Sequence, residues 1–301
     1  MNLIYEGKEI NLNISKCIIT DNIEGKADTL EIEFADINNE CRTWEFKKGH
    51  TIKVIDGPFS TGTMYVDNYS TSNGKYNVKS LSIKKKFKTK HSRAWENITF
   101  LNLAKDLVEG VGLTLKTYGV ENYRYYRIDQ IDSNNIAFLN YRCMLEGYIL
   151  KITDNTAVII SSNYIESQNS VADFDTTDFI GNYEFKCTSN DIFGGCVVRS
   201  NITEYIEGSY IKDNSNEDIL YKNIPVYSIG EAERYSKNIL KEANNGEITG
   251  SFTVKNNNNI AAGSAIHISN VSMFSGKYIV EKIIKNIIDG KMKVKVRKLE
   301  G

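Results

Sequence analysis

A short β pattern occurs twice in this chain of 301 residues, and a duplication constrains a fold more than any single motif does. GHTIKV from Gly49 and GSAIHI from Gly263 share glycine, then Ile three residues on, then a β-branched residue. GTMYVD follows from Gly62 and GKYIVE from Gly276, at the same spacing (62 − 49 = 276 − 263 = 13). Each unit closes on a similar strand, GKYNV from Gly74 and GKMKV from Gly290, and each is preceded by a strand after a glycine, at Gly25 and Gly246. The pattern predicts superposable β units over residues 25–83 and 246–298.

The surrounding text is also β-rich. Only 2 prolines accompany 18 tyrosines and 12 phenylalanines, and TLEIEFAD alternates so that Glu31 and Glu33 share one face with Leu30, Ile32 and Phe34 opposite. Between the units the periodicity turns helical. Ile98, Leu101, Ala104, Leu107 and Val108 mark a helix ending near Gly110 or Gly112. A second helix starts around Asp132 or Ser133, presents Ile136, Leu139 and Cys143, and stops at Gly147. YILKIT and TAVIIS form a hairpin across Asp154 and Asn155. A polar stretch then leads to renewed β pattern near Tyr183, and Ser228 with Glu231 fits a capping box before a helix carrying Ala232, Tyr235, Ile239, Leu240 and Ala243. The predicted fold is mainly β with an inserted α+β segment. Two similar tube-type β-barrel domains, 1–88 and 181–301 with one helix, flank a small middle domain, 89–180.

Formal net charge is -1, so the whole molecule has no bias towards nucleic acid or membrane. The N-terminus lacks the signature of a secretory signal and no segment is long and apolar enough to span a bilayer, so folding in a cytoplasm is expected. Cys17, Cys41, Cys143, Cys187 and Cys196 are widely spaced without paired motifs and read as free thiols.

Catalysis needs a nucleophile, acid or metal held by partners, and the sequence offers no such grouping. His50, His91 and His267 are isolated in sequence, and two of them are expected in corresponding regions of the repeat, His50 beside Gly49 and His267 after Ile266. Glu31 and Glu33 read as one strand face, although a glycosidase also uses two carboxylates. Gly194 and Gly195 lack the Lys-Ser or Lys-Thr of a phosphate loop and read as a turn or bulge. No catalytic, cofactor-binding or metal-binding residue is assigned. Lys84, Lys85, Lys86, Lys88, Lys90, His91 and Arg93, with Phe87 among them, suit phosphates, and Tyr123, Arg124, Tyr125, Tyr126 and Arg127 suit base stacking. The competing readings are a solvated joint and a strand face. In the last strand, Lys291, Lys293, Lys295 and Arg297 alternate with Met292, Val294 and Val296 until Lys298 breaks the pattern, so the apolar face is expected inside and the cations on the other face.

ISKCIITDNIEGKADTLEIEFAD (Ile14 to Asp36), Trp44 before KKGHTIKV, the stretch around Trp95, and the segment from Gln130 containing Phe138, Leu139 and Gly147 resemble the phage late control gene D family. That family supplies baseplate hubs of contractile phage tails and R-type bacteriocins (tailocins) and is related to the hub part of VgrG. The resemblance implies a non-enzymatic homotrimer adapting a sixfold tail tube, or a tube-initiator protein, to a threefold spike. It also implies other baseplate partners, assembly in the host cytoplasm and a final place in a virion tail or phage-tail-like particle. No membrane partner is implied, and nucleic acid meets the protein at most in transit through a lumen. VgrG-type hubs continue into a spike, whereas this sequence stops at Gly301, so a separate spike protein is expected. The competing class is a tail-associated cell-wall hydrolase or glycan-binding protein.

Overall fold

A computed structural model describes residues 1–23, 25–212 and 218–299. In Thr29–Ala35 the alternating residues Leu30, Ile32 and Phe34 are buried, which is what period-two side-chain direction demands of a strand with one face on a core. The main sheet runs, in order, Glu184–Cys187, Ile248–Lys255, Lys291–Lys298, Gly276–Asn286, Ile14–Asn22, Thr29–Ala35, Lys75–Leu81, Met64–Ser72, Thr51–Asp56, Asn2–Tyr5 and Lys8–Ile10. Ala265–Ile268 pairs with Gly276–Asn286 beside this path.

The sheet is one five-strand pattern used twice. The first repeat reads Ile14–Asn22, Thr29–Ala35, Lys75–Leu81, Met64–Ser72, Thr51–Asp56. The second reads Glu184–Cys187, Ile248–Lys255, Lys291–Lys298, Gly276–Asn286, Ala265–Ile268, and every neighbouring pair in both is antiparallel. The register is the same residue by residue. Val66 opposite Ser80 and Asn68 opposite Lys79, with a bulge between Val66 and Asn68, recur as Val280 opposite Val296 and Lys282 opposite Lys295, with a bulge between Val280 and Lys282. Gly49 N–H donates to the Val66 carbonyl at 2.7 Å, and Gly263 N–H to that of Val280 at 2.7 Å. Gly49 and Gly263 sit at φ 84° and 93°, a backbone that side chains rarely adopt. The histidines are not equivalent: by this register Ser264 occupies the place of His50, and His267 that of Lys53.

The two repeats are joined edge to edge. Gly276–Asn286 pairs with Ile14–Asn22 from Lys282 opposite Asn22 to Asn286 opposite Ile18. At that seam Asp21 forms an ion pair with Lys151 and accepts from Ala262 N–H at 2.8 Å, while Lys151 donates to the Ala262 carbonyl at 2.9 Å. One lysine of the middle segment thus holds both repeats.

The middle segment packs α1 (Phe100–Glu109) and α2 (Asn135–Leu145) on the three-stranded sheet of Thr114–Tyr118, Thr156–Ser161 and Tyr148–Thr153, with Lys90–Thr99 and Arg124–Asn134 as a long antiparallel pair. The Asp154 and Asn155 turn has φ 42° and 55°, which fits the expected hairpin. Three expectations shift. Ile98 belongs to the strand Lys90–Thr99, and α1 buries Phe100, Leu103, Ala104, Leu107 and Val108 while Leu101 is half-buried. The cap of α2 is Asn134, whose side chain accepts from Ala137 N–H at 2.9 Å, in place of Asp132 or Ser133. The polar stretch after Ser161 holds α3 (Ser162–Ser167) and a short strand, Asp173–Phe174, paired parallel to Ala265–Ile268.

A further layer interrupts the second repeat. Gly195–Ser200 lies between Ile206–Ile211 and Ile219–Asn223, and α4 (Ile229–Asn244) covers this sheet. Ser228 accepts from Glu231 N–H at 3.2 Å, and Glu231 reaches back to Tyr227 N–H at 3.0 Å. Gly195 is a strand residue, where an added Cβ would meet Ile219 and Ile211 side chains at 2.9 and 3.0 Å.

Candidate assembly surface

One face of the main sheet packs on the two cores; the other is polar across both repeats. In the second repeat Met292, Val294 and Val296 are buried while Lys291, Lys293 and Lys295 are exposed, as alternation predicts. Arg297 departs from the lysines. It is 5% exposed, with Nε 3.3 Å from Glu281 and a hydrogen bond to Asn245 at the end of α4. Lys255 stands opposite Lys291, and Lys282 opposite Lys295, so like charges face one another on adjacent strands, an arrangement that destabilises unless something acidic or polar lies across from it. Among the described residues no carboxylate pairs with Lys255, Lys291, Lys293 or Lys295.

The first repeat solves the same problem internally. Glu31 lies 2.9 Å from Lys79, and Glu33 2.9 Å from Lys75. By register those carboxylates stand where the second repeat has Ser251 and Thr253. Ser15 Oγ donates to Glu33 at 2.8 Å, and the lysine and hydroxyl together hold the Glu33 carboxyl below the usual range.

The other sequence candidates scatter. His50 is half-buried, its Nδ1 2.9 Å from the Tyr5 hydroxyl; His91 is an exposed strand residue; His267 Nδ1 is 3.7 Å from Asp173. Among the described residues no three His, Cys, Asp or Glu side chains come together. Cys17, Cys41, Cys143 and Cys196 are buried and Cys187 is exposed; all are free. The basic run splits between a short 3-10 turn, Lys85–Lys88, and the strand from Lys90, where Lys90 pairs with Asp132 and Arg93 Nη1 lies 3.6 Å from Asp106; the Lys86 side chain lies outside the described ones. Phe87 is core. Tyr125 is buried, and Tyr126 exposed on the same strand.

Sequence reasoning missed a buried polar cluster joining α2 to α4. Glu146 accepts from Tyr125 Oη at 2.6 Å and from Arg234 Nε at 2.5 Å. Arg142 donates to Tyr235 Oη, which donates to Glu231 at 2.7 Å. Arg142 also lies 4.9 Å from the Tyr125 ring centroid, within cation–π range. Burial, then the Glu146 charge, pushes the Tyr125 phenol well up. The cluster is an internal brace between α2 and α4, although Arg142 Nε is buried without a hydrogen-bond partner among the described residues and Glu146 and Arg234 also line a polar cavity with Tyr123, Glu166 and Lys241.

No family model and no curated protein matches the chain. Solved structures do. The 43 kDa tail protein of prophage MuSo2 from Shewanella oneidensis superposes with TM-score 0.78 at 13% identity, covering 99% of this chain and 97% of that one. A tail protein from Neisseria meningitidis MC58 gives TM-score 0.78 at 13% identity over 99% and 95%. An E. coli type VI secretion system component, described as similar to bacteriophage T4 tail proteins, gives 0.64 at 8% identity over 99% and 77%. In fold, along essentially its whole length, the chain is similar to these phage-tail proteins and to the type VI secretion system component.

Proposed function

We propose that this protein is the trimeric hub of a contractile tail or phage-tail-like particle, a late control gene D type adaptor between a sixfold tube and a threefold spike. The observation that carries this reading is the register-matched duplication: three chains with two equivalent five-strand units present six units. Residues 1–88 and 181–301 supply the ring and 89–180 the layer that braces it. The tube or its initiator protein sits on one side and a separate spike protein on the other, with other baseplate proteins around them. The polar sheet face lines the lumen, where nucleic acid meets it only in transit. Assembly takes place in the host cytoplasm, and the product is a virion tail or a released tailocin. The protein works by surface complementarity, without catalysis or cofactor.

The native mass of the hub in intact baseplates should correspond to three copies; two or six would contradict the adaptor. Purified protein should leave a cell-wall suspension turbid. Clearing that one carboxylate-to-amide substitution abolishes would refute the non-enzymatic role.

A further inference from the structure

Three ionisable side chains meet where the repeats join, and their arrangement suits more than an ion pair. Asp21 comes from Ile14–Asn22, Lys151 from Tyr148–Thr153 of the middle segment, and Asp28 from the residues leading into Thr29–Ala35. Lys151 Nζ contacts Asp21 Oδ1 and donates to the Ala262 carbonyl at 2.9 Å. Asp21 Oδ2 accepts from Ala262 N–H at 2.8 Å. Asp28 shares a hydrogen bond with the Asp21 carboxyl. It is held there from two sides: Asn22 N–H donates to its Oδ1 at 2.9 Å, and its own N–H donates to Ser82 Oγ at 2.9 Å. Ile23, Ile149 and Ala262, each adjoining one of these groups, are buried together in one apolar cluster. Lys151 and Asp21 are only 12% and 22% exposed, so both have lost much of the solvation that keeps them charged. Moving one proton from Nζ to the carboxylate leaves a neutral amine against a neutral acid, the two reactants of an amide.

We infer that Lys151 and Asp21 condense into a side-chain amide, an isopeptide bond across the seam, with Asp28 carrying the protons. The Nζ lone pair adds to Asp21 Cγ, and the carbonyl pair moves onto Oδ2, where Ala262 N–H steadies the oxyanion. Asp28 takes a proton from Nζ and delivers one to Oδ1. The Cγ–Oδ1 bond then breaks, the carbonyl re-forms and one water leaves; nothing is oxidised or reduced, and Asp28 ends as it began. Holding amine and acid in contact makes the step intramolecular, which in well-oriented cases is worth an effective concentration of about 10⁵ M or more. Burial, then the Asp21 charge, brings the Asp28 carboxyl to about 7, so near neutrality it both gives and accepts protons. The bond ties together residues 130 apart in sequence and locks the middle segment to the first repeat. It needs no partner chain and stands apart from the hub reading.

An amide survives denaturation and an ion pair does not, which makes the bond directly measurable. Folded full-length protein, then denatured and weighed intact, should be lighter than its sequence by the mass of one water. Tryptic digestion should leave the chain uncut after Lys151 and yield one branched peptide that joins the stretch holding Asp21 to the stretch holding Lys151. Lys151→Arg, which keeps the cation, should restore the full mass. Asp28→Asn should slow the loss of water in freshly made protein by about a hundredfold, the usual scale for removing a positioned proton carrier. Full sequence mass in aged, folded protein would overturn the proposal. So would a loss of water with residues 21 and 151 in separate peptides, the mark of an aspartyl imide. The parent chain's mass and peptide map decide by themselves, so misfolding of either variant leaves the proposal open to refutation. A full-mass chain in a three-copy baseplate would sink the bond and spare the hub; a branched chain in a baseplate of two or six copies would do the reverse.

Discussion

The two repeats share a backbone and differ in almost everything that backbone displays. Strand order, bulge position and the positive-φ glycines coincide, whereas the core pairs Ile32 and Phe34 in one repeat and Phe252 and Val254 in the other. The first repeat neutralises its polar face with Glu31 and Glu33; the second leaves four lysines uncompensated. Pairing geometry and bulge register tolerate no independent change, because one slip turns a whole strand over. Side chains on either face change freely if volume and polarity are kept. A ring built from such repeats would alternate neutral and cationic segments while keeping one backbone geometry.

The strongest test of this parity is the core. Phe252 is 1% exposed and packs against Phe179 at 4.7 Å and Phe174 at 5.8 Å between ring centroids. Phe252→Ala should cost about 3–5 kcal/mol, and the matched Ile32→Ala about 2–5 kcal/mol. Since the sheet and Lys151 join the repeats, each variant should lower the midpoint of one shared urea transition. Two separated transitions in either variant would show that the repeats fold independently.

The seam carries an asymmetry that pH should expose. Asp28, 8% exposed, accepts from Asn22 N–H at 2.9 Å and occupies the place of Ile248 in the second repeat. Burial first, then the nearby Asp21 charge, raises its carboxyl to about 7, with Lys151 opposing. A raised acid binds its proton more tightly in the folded state, so its contribution is full below the ordinary carboxylate range and is lost as pH rises through about 7. Stability should fall between those limits by on the order of 1 kcal/mol per pH unit. Asp28→Asn should flatten that slope in urea titrations at pH 5, 6 and 7; an unchanged slope would assign the effect elsewhere.

The matched glycines give a smaller and sharper test. An added Cβ meets nothing within 4 Å at Gly49 and only Ile23, at an ordinary 3.6 Å, at Gly263. Each Gly→Ala change should therefore carry only backbone strain, about 1–2 kcal/mol, and the two should agree closely. Losses differing by more than that range would mean the two turns are not equivalent.

These glycines also show what the sequence made readable. A turn needing positive φ leaves a glycine, and a half-buried strand leaves an alternation such as Leu30, Ile32, Phe34, so the duplication and its strands were visible. Contacts between distant segments leave no such mark. The pairing of Ile14–Asn22 with Gly276–Asn286 and the Asp21–Lys151 pair depend on tertiary placement alone. Lys90–Thr99 reads as a basic joint because its partners, Asp132 and Asp106, come from other elements. Arg142 sits on a helix where an arginine usually reaches solvent, and only the positions of Tyr125 and Tyr235 explain its burial.

The last difference, in surface charge, should barely move stability and should matter only in assembly. Lys293 and Lys295 are exposed, lie opposite Thr253 and Ser251, and have lysines at 255, 282 and 291 as neighbours. Replacing both with Glu would give this face the mixed charge that Glu31 and Glu33 give the first repeat. Relief of like-charge repulsion on an exposed, screened face is worth little, so the midpoint should stay within about 0.5 kcal/mol of the parent. If the cationic face lines a lumen or meets an acidic neighbour, the double variant should reduce particle yield or firing, and that loss should shrink as salt screens the contact. Wild-type yield with wild-type killing or infection would make the face ordinary solvated surface, its lysines serving solubility alone. The contrast between the repeats would then be drift without consequence for assembly.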